Sequence, residues 1–323
     1  MSYVSEEPYI YEIEPTNHCP YQCIMCPRGL GRMRRPVGFM ELETLNCFLD
    51  QFPKTQKLVR LHHFGEAVLH PEIDVMVRLL NERNLTSVLS LNPATLSPKL
   101  TRKILSARVS IVCLSLDALS DKGLSQIRGI KRPFYECWQM IEDFIEASRS
   151  SGSFTLKVIQ MVGLALNESD REDFLRIKET YPEPDVYLHL TENNGFGNLD
   201  VVEHTTPGGS RDITAHAKPC GAPFSQVSVL WNGDVVLCCY DYDGFTVIGN
   251  VREKPLSEIW MDTGVRKIRR LFEGRITQSL PLCGGCYLAP HNFSRELPFS
   301  RKEREEEAEI LRILKNAMES SLE

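Results

Sequence analysis

Short apolar runs alternate with amphipathic stretches along the first two thirds of the chain. Runs rich in β-branched, aromatic and leucine residues predict six strands, at 9–14, 58–64, 87–91, 110–116, 154–161 and 186–190. Apolar residues at helical spacing predict helices between them, at 40–52, 71–83, 98–107, 135–148 and 169–180. Six successive β–α units imply parallel strands with right-handed crossovers, arranged as an open sheet or as a barrel.

A different pattern follows this α/β region. Asn, Gly, Thr and Pro become frequent at 192–211, which indicates a loop or a domain junction. A hairpin is predicted at 227–238, with Asn232 and Gly233 at its turn, and one helix at 256–272. The charged stretch 300–322 predicts either an amphipathic helix packed on the body or a solvated tail. We therefore expect domains at 1–200 and 201–292 and a helical tail at 293–323.

Charge and hydropathy exclude several classes of partner. The 323-residue chain has a formal net charge of -6, so its surface offers no general attraction to nucleic acid or to an anionic membrane. Acidic residues stand at the N-terminus, where a signal peptide would have a basic region and an apolar run. No stretch approaches the roughly 18 apolar residues of a membrane-spanning helix. We expect a cytoplasmic protein that acts on a small molecule, with a peptide as the less expected substrate.

Eleven cysteines require a chemical explanation. Cytosolic thiols stay reduced, so metal binding or catalysis is a more natural expectation than a disulfide framework. Eight of the cysteines fall into two groups, at 19–26 and at 220–286. The other three, Cys47, Cys113 and Cys137, stand alone and fit small buried apolar side chains.

The first cysteine group follows directly on the first predicted strand. Cys19, Cys23 and Cys26 have the spacing Cys-x3-Cys-x2-Cys on one short loop. Because a 4Fe–4S cluster normally takes four thiolates, three leave one iron open for an outside ligand. A zinc site that borrows His18 or a distant residue is the alternative. The segment resembles the three-cysteine loop of the radical SAM superfamily, in which the amino and carboxylate groups of S-adenosylmethionine (SAM) bind the open iron.

The resemblance extends to the ends of the next predicted strands. Residues 61–66 resemble the family's Gly-Gly-Glu motif, although Phe64 replaces the first glycine and Ala67 replaces the usual proline. The resemblance implies that Glu66, beside Gly65, accepts a hydrogen bond from the amino group of SAM. It also implies positions near SAM for three further residues, which are Asn92, Ser115 and, through its backbone at the adenine, Met25.

The second cysteine group resembles the auxiliary-cluster modules called SPASM and twitch. The runs 231–238 and 248–260 carry the resemblance, and the glycine-plus-five position falls on Cys238. No cysteine follows Cys286, so one auxiliary cluster is expected, as in twitch enzymes. The resemblance implies that a second 4Fe–4S cluster is held by Cys220, Cys238, Cys283 and Cys286. Alternation along a strand would send Cys239 to the other face and leave it free, and structural zinc is the alternative for the whole group.

The family resemblance implies an α/β fold, a partial (β/α)6 barrel of the TIM type followed by a small hairpin-and-helix domain for the auxiliary cluster. Side chains two apart on a strand share a face, and the face opposite the leucines should line the lumen. His62 and His189 fall on that lumen face, where either could act as a general base. A hydrogen-bonded structural histidine is the alternative at each position.

The resemblance also implies a reaction type. An external electron donor such as flavodoxin or ferredoxin would reduce the first cluster, and SAM would yield a 5′-deoxyadenosyl radical that abstracts hydrogen from a substrate carbon. An auxiliary cluster with four cysteine ligands has no open iron for substrate but can accept an electron. This favours a net two-electron oxidation, such as alcohol to ketone. The cysteine spacing resembles that of the 2-deoxy-scyllo-inosamine dehydrogenases, which indicates a sugar or aminocyclitol-like molecule.

Three other functions stay open. A redox-neutral epimerase would need a hydrogen donor, for which the thiol of Cys239 or Cys113 could serve. A maturase of ribosomal peptides uses similar modules, but the few residues before the first predicted strand lead us to expect no N-terminal leader-binding domain. A zinc-stapled binding protein is the non-enzymatic alternative.

Overall fold

The computed structural model describes residues 5–53, 57–152, 154–181, 184–206 and 219–292, together with residue 312. The strands in these ranges are β1 (Ile10–Ile13), β2 (Leu58–Leu61), β3 (Thr86–Leu91), β4 (Ile111–Ser115), β5 (Leu156–Gly163), β6 (Val186–Glu192), β7 (Gln226–Val229), β8 (Asp234–Val236) and β9 (Val247–Asn250). The α-helices are α1 (Leu42–Leu49), α2 (Ile73–Glu82), α3 (Pro98–Ser106), α4 (Asp121–Arg128), α5 (Phe134–Ser150), α6 (Asp170–Thr180), α7 (Leu199–Thr205), α8 (Ala222–Ser225), α9 (Leu256–Trp260) and α10 (Thr263–Glu273). No helix in the described part of the chain has the length and apolar character needed to cross a membrane.

One open sheet runs through the described part of the chain. Its strands lie in the order β6-β5-β4-β3-β2-β1-β7-β8-β9. Strands β1 to β6 are parallel neighbours in sequence order, which confirms the predicted partial barrel of β–α units. Strand β7 pairs in parallel with β1, and β8 returns antiparallel as the predicted hairpin requires. The described C-terminal strands therefore extend the first sheet.

The leucine-rich faces of the strands pack against the helices. Leu61, Leu89 and Leu114 are fully buried in the main core, and each such side chain contributes about 1.5–3 kcal/mol through its burial. The opposite face holds a small apolar group near the N-terminal ends of the strands, made of Leu58, Val88, Ile111 and Leu156. Towards the C-terminal ends this lumen face becomes polar, as at Ser115. The predicted division into a leucine face and a lumen face therefore holds for β2 to β4.

The second predicted strand and the C-terminal predicted helix differ from the elements observed. The second strand ends at Leu61 and not at residue 64, and the chain then forms a short 3-10 helix at Ala67–Leu69. The single helix predicted at 256–272 is two helices, because Asp262 accepts the N–H of Gly264 at 2.7 Å and begins α10. The tail predicted at 300–322 lies outside the described residues, apart from Arg312.

Candidate active site

A cysteine loop follows β1 and is anchored to the end of α4. Cys19, Cys23 and Cys26 lie on this loop, beyond the C-terminal end of a parallel strand, where barrel enzymes have their active sites. The N–H of Gln22 donates to Arg128 O at 3.1 Å, which fixes the middle of the loop against the helix. The structure therefore brings the three predicted ligands together on a held loop.

Burial and hydrogen bonding determine the chemistry of these thiols. Burial raises the pKa of Cys19 to about 12 and that of Cys23 to about 11. Burial thus favours the protonated thiols. A bound metal centre reverses this preference, because a thiol that coordinates a metal loses its proton. Several sulfurs accept the backbone N–H two residues further along, from Tyr21 to Cys19, Arg28 to Cys26, Ala222 to Cys220, Tyr240 to Cys238 and Leu288 to Cys286. Such donors suit the sulfurs of an iron–sulfur cluster.

Glu66 and Asn92 form the second part of the site. Glu66 is 5% exposed, its N–H donates to His18 O at 2.8 Å, and its carboxylate accepts the N–H of Asn92 at 3.3 Å. Burial raises the pKa of Glu66 to about 8, against the opposing effects of that N–H and of Arg128. The Nδ2 of Asn92 is buried without a hydrogen-bond partner among the described residues. A buried carboxylate beside an unpartnered amide donor fits the ammonium and carboxylate groups of SAM.

Three other predicted residues lie close to these elements. A Cβ at Gly65 would be 1.9 Å from Thr16 O, so the chain passes too close to the cysteine loop for any side chain at that position. Met25 is buried within the loop, and Ser115 is half-buried at the end of β4. The contacts of Met25 and Ser115 with SAM stay predictions.

A largely buried arginine beside the cysteine loop was not predicted from the sequence. Arg128 forms an ion pair with Asp117, and its Nη1 donates to Cys23 Sγ at 3.6 Å. Asp117 follows β4 with a left-handed backbone (φ 64°), and its carboxylate accepts the N–H of Val162 at 2.8 Å. A basic residue followed by a glycine is common at the C-terminal end of a helix, so the sequence around Arg128 did not indicate a role in the site. The signal in the sequence that could have indicated this ion pair was Asp117, the acidic residue shortly after β4.

Two adjacent histidines face two carboxylates of β1 and its continuation. His62 Nε2 lies 3.6 Å from Glu12 Oε1, and His63 Nδ1 lies 3.3 Å from Glu14 Oε1. Because β2 ends at Leu61, alternation no longer separates the two rings, and His63 was overlooked for that reason. Burial raises the pKa values of Glu12 and Glu14, but hydrogen bonds and charges from the histidines and nearby arginines outweigh it and lower both to about 2. Both carboxylates are therefore anionic.

The two histidines predicted for the lumen differ in their surroundings. The side chain of His62 is 30% exposed, and Ser228 Oγ donates to its partner Glu12 at 3.0 Å. His189 is exposed on β6, where its ring stacks on Tyr187 with centroids 6.4 Å apart. A carboxylate that orients an imidazole is a recurring feature of histidine bases, so the geometry favours His62.

The auxiliary cysteines converge beside the loop that joins β6 to α7. Cys286 forms an isolated bridge with Asn198, and a Cβ at Gly197 would lie 2.6 Å from Cys286 Sγ. Burial raises the pKa of Cys220, and the nearby thiols of Cys286 and Cys283 raise it further. The N–H of Cys220 donates to Leu288 O at 2.8 Å, so Cys220 lies beside the segment that carries Cys286. The fold thus brings together residues that are more than 60 positions apart in the chain, from Cys220 to Cys286.

Cys239 lies with the other auxiliary cysteines. Strand β8 ends at Val236, so strand alternation does not apply at Cys238 and Cys239, and the expectation that Cys239 faces away was wrong. A hydrogen bond between the two thiols, together with burial, raises the pKa of Cys238 well above its usual value. Burial and the nearby Cys239 thiol also raise the pKa of Cys286. Five thiols therefore share this region, one more than a 4Fe–4S cluster takes.

Among the described residues, no group of three His, Cys, Asp or Glu side chains is arranged to hold one metal ion.

A row of aromatic rings lies between the two cysteine groups. Phe64, next to Gly65, contacts Phe196 with ring centroids 5.0 Å apart, and Phe196 contacts Tyr240 at 5.7 Å. Phe196 has a left-handed backbone (φ 49°), which is unusual for a bulky residue. Phe64 occupies the first position of the Gly-Gly-Glu-like motif, so this departure from the motif adds a buried ring between the two cysteine groups.

Comparisons with known proteins agree with this geometry. Residues 13–177 match the model of the radical SAM superfamily, and residues 220–287 match the model of the iron–sulfur cluster-binding SPASM domain. An AdoMet-dependent heme synthase of Methanosarcina barkeri is 23% identical, over 93% of this chain and 98% of the relative. An S-adenosyl-L-methionine-dependent 2-deoxy-scyllo-inosamine dehydrogenase of Niallia circulans is 20% identical, over 85% of this chain and 91% of the relative.

A solved structure supports the fold. The structure of Streptococcus suis SuiB bound to the precursor peptide SuiA superimposes with a TM-score of 0.63 at 14% identity. The match covers 89% of this chain and 71% of SuiB. At that identity the likeness concerns the fold alone.

Proposed function

Because the chain belongs to the radical SAM superfamily, we propose that it catalyses a net two-electron oxidation of a small polar molecule, such as an alcohol group of a sugar or aminocyclitol. The enzyme has an iron–sulfur SPASM domain, and its cofactors are SAM and 4Fe–4S clusters. The main support for an oxidation is the convergence of Cys220, Cys238, Cys283 and Cys286. Four cysteine ligands leave no iron of an auxiliary cluster open for substrate, which suits an electron acceptor.

The ligands of the first cluster are proposed from the cysteine loop. Cys19, Cys23 and Cys26 would hold it, and an external one-electron donor such as flavodoxin or ferredoxin would reduce it. The Glu66 carboxylate would accept from the amino group of SAM, and Asn92 Nδ2, which lacks a partner among the described residues, would donate to SAM. The bound cofactors supply a carbon radical that removes a substrate hydrogen and a second centre that takes up one electron.

His62 is the proposed base for the substrate hydroxyl. Its side chain is 30% exposed, and Glu12 Oε1 lies 3.6 Å from Nε2, where the carboxylate can hold the ring and stabilise the imidazolium that forms. Transfer of the hydroxyl proton to His62 leaves a more strongly reducing substrate radical, which favours loss of the second electron. The position of Glu12 is fixed in turn by the hydroxyl of Ser228.

The relatives support a small-molecule oxidation as the first choice of reaction. One is named a dehydrogenase of 2-deoxy-scyllo-inosamine, and another is named a heme synthase. The structure of SuiB contains a precursor peptide. A peptide substrate is therefore the alternative that the experiment must exclude.

A mass balance in heavy water tests the reaction. Anaerobically reconstituted enzyme would be incubated with SAM, dithionite and a panel of aminocyclitols and polyols that begins with 2-deoxy-scyllo-inosamine. Oxidation predicts one 5′-deoxyadenosine per SAM and a product lighter by two hydrogens. His62→Gln should still transfer deuterium from labelled substrate to 5′-deoxyadenosine but form product about 100-fold more slowly. His189→Gln is the matched control and should change neither quantity.

An epimerase would give a different result in the same experiment. Its product would have unchanged substrate mass apart from one solvent deuterium at carbon, and Cys239→Ala would abolish that incorporation. Cys113 is the control thiol, because it packs with Leu58 and Val88 and burial raises its pKa to about 11. Deuterium incorporation that depends on Cys239 would contradict the oxidation proposal.

A further inference from the structure

The sulfur of Cys23 has a different hydrogen-bond donor from the neighbouring cysteines. Cys19 and Cys26 accept backbone N–H groups within their own turns. Cys23 instead accepts from the guanidinium of Arg128, with Nη1 3.6 Å from Sγ. This donor carries a full positive charge and comes from 105 positions away in the chain. Hydrogen bonds to charged groups are roughly twice as strong as neutral ones.

Arg128 is held firmly in this position. Its side chain is 14% exposed and forms an ion pair with Asp117, which is fully buried. Asp117 is fixed through the N–H of Val162, which donates to its carboxylate at 2.8 Å, and through Asn167 Nδ2, which donates to its carbonyl at 2.6 Å. The backbone carbonyl of Arg128 also accepts the N–H of Gln22 from the cysteine loop. The guanidinium is therefore oriented before any cofactor binds.

The arginine binds the Cys23 sulfur and its acidic partner through different nitrogens. Nη1 donates to Cys23 Sγ at 3.6 Å, whereas Nη2 forms the ion pair with Asp117 Oδ2. The group that contacts the sulfur is therefore a cation. The reduced form of an iron–sulfur cluster carries one more negative charge than the oxidised form, so a fixed cation stabilises the reduced form more.

We propose that Arg128 raises the reduction potential of the SAM-binding cluster through a charged hydrogen bond to the sulfur of Cys23, with Asp117 as the positioning residue. The proposal rests on the assignment of Cys23 as a cluster ligand in the proposed function. Its consequence is an easier first step, because the external donor must inject an electron into this cluster before SAM can react. Arg128 is a tuning residue and takes no part in proton transfer.

A redox titration followed by electron paramagnetic resonance tests the proposal without any substrate. The sample is the anaerobically reconstituted full chain, measured before and after SAM is added. Arg128→Gln should shift the midpoint potential of the SAM-responsive cluster to a lower value, and Arg128→Lys should shift it less, because lysine keeps the charge. The auxiliary cluster of the same molecule is the internal control, and its potential should not change.

Arg132→Gln is the matched control on the surface. Arg132 lies four positions further along and pairs with Glu136 at 3.5 Å, with both side chains more than one third exposed. This variant should leave both potentials unchanged.

Two results would overturn the proposal. The first is an unchanged potential of the first cluster in Arg128→Gln with full iron content. If that variant does not assemble its cluster, Arg128→Met decides, and a wild-type potential in this second variant without the charge would equally refute the tuning role. Failure of the proposed function is a separate result, because wild-type enzyme would then show no cluster whose signal responds to SAM.

Discussion

At the scale of single residues, backbone N–H groups distinguish two neighbouring thiols. Cys238 accepts the N–H of Tyr240 at 3.3 Å, as Cys220 accepts that of Ala222 at 3.4 Å. Cys239 lies in the same turn and forms a hydrogen bond with the thiol of Cys238. A sulfur that accepts backbone N–H groups is better prepared to become a cluster-bound thiolate. We therefore expect Cys238 to be the ligand and Cys239 to stay free.

Alanine variants test this assignment. Cys238→Ala should lose about four of about eight iron atoms per chain, because one 4Fe–4S cluster would lack a ligand. Cys239→Ala should keep its iron, and so should the control Cys47→Ala, which changes a cysteine outside both groups. Iron content and the low-temperature spectrum of the reduced protein provide the measurements. Iron loss in Cys239→Ala with retention in Cys238→Ala would reverse the assignment.

Sequence reasoning identified the residues that a motif marks and missed those that only the fold brings together. Glu66 could be predicted because it follows a glycine at the end of a strand. Arg128 could not, because its contact with Cys23 depends on where α4 ends. Glu12 meets His62 only through the register of β1 against β2. Cys239 was misplaced because a turn after Val236 ends the two-residue period on which its prediction depended.

At the scale of elements, one buried carboxylate joins the end of β1 to three other segments. Glu14 forms an ion pair with Arg35, which follows the cysteine loop, and contacts His63, which follows β2. It also accepts the N–H of Trp231 at 3.2 Å, in the turn after β7. Glu14 therefore connects the segments that frame the candidate site.

Glu14→Gln should destabilise the protein strongly. The side chain of Arg35 is 10% exposed, and a buried charge that loses its partner costs about 3–5 kcal/mol. Glu41→Gln is the matched control, because Glu41 pairs with Arg252 at 3.2 Å on the surface, where such pairs contribute about 0–1 kcal/mol. Thermal unfolding under nitrogen, followed by circular dichroism, measures both changes. Equal stability of the two variants would show that Glu14 has no such structural role.

The difference in stability between wild type and Glu14→Gln should depend on pH. The pKa of Glu14 is lowered in the folded protein from 4.5 to about 2, because its hydrogen bonds and charged partners outweigh burial. A depressed carboxyl pKa stabilises the fold above the unfolded value, and that stabilisation is lost as the pH falls through the folded value. The gap in unfolding temperature between wild type and Glu14→Gln should therefore be constant near neutral pH and narrow between pH 4.5 and about 2.

The order of the elements was predictable, whereas several of their ends were not. Alternating strand and helix patterns are long enough to specify six β–α units and their parallel pairing. The end of β2 was predicted too late because His62, His63 and Phe64 look like a continuing strand, although their rings turn to different partners. The break before α10 depends on the capping oxygen of Asp262, a local signal within a helical pattern.

At the scale of the whole molecule, two cysteine groups far apart in the sequence are proposed to hold two clusters beside one sheet. Reconstituted wild-type protein should contain about eight iron atoms per chain. Changing Cys19, Cys23 and Cys26 together to alanine should leave about four and abolish 5′-deoxyadenosine formation from SAM and dithionite. Metal analysis and chromatography measure the two quantities. Stoichiometric zinc with little iron, or normal SAM cleavage by the triple variant, would contradict the two-cluster arrangement.

The pairing of β7 with β1 has a consequence for biosynthesis. Strand β1 is translated early, but Ser228, which binds Glu12 across this pairing, follows 216 positions later. At 5–20 residues per second, a ribosome needs roughly 10 to 40 s to reach it, and during that time one edge of β1 has unpaired N–H and C=O groups. The nascent cysteine loop is therefore next to an unfinished sheet for most of translation. The surroundings of the loop are completed only when β7 pairs with β1.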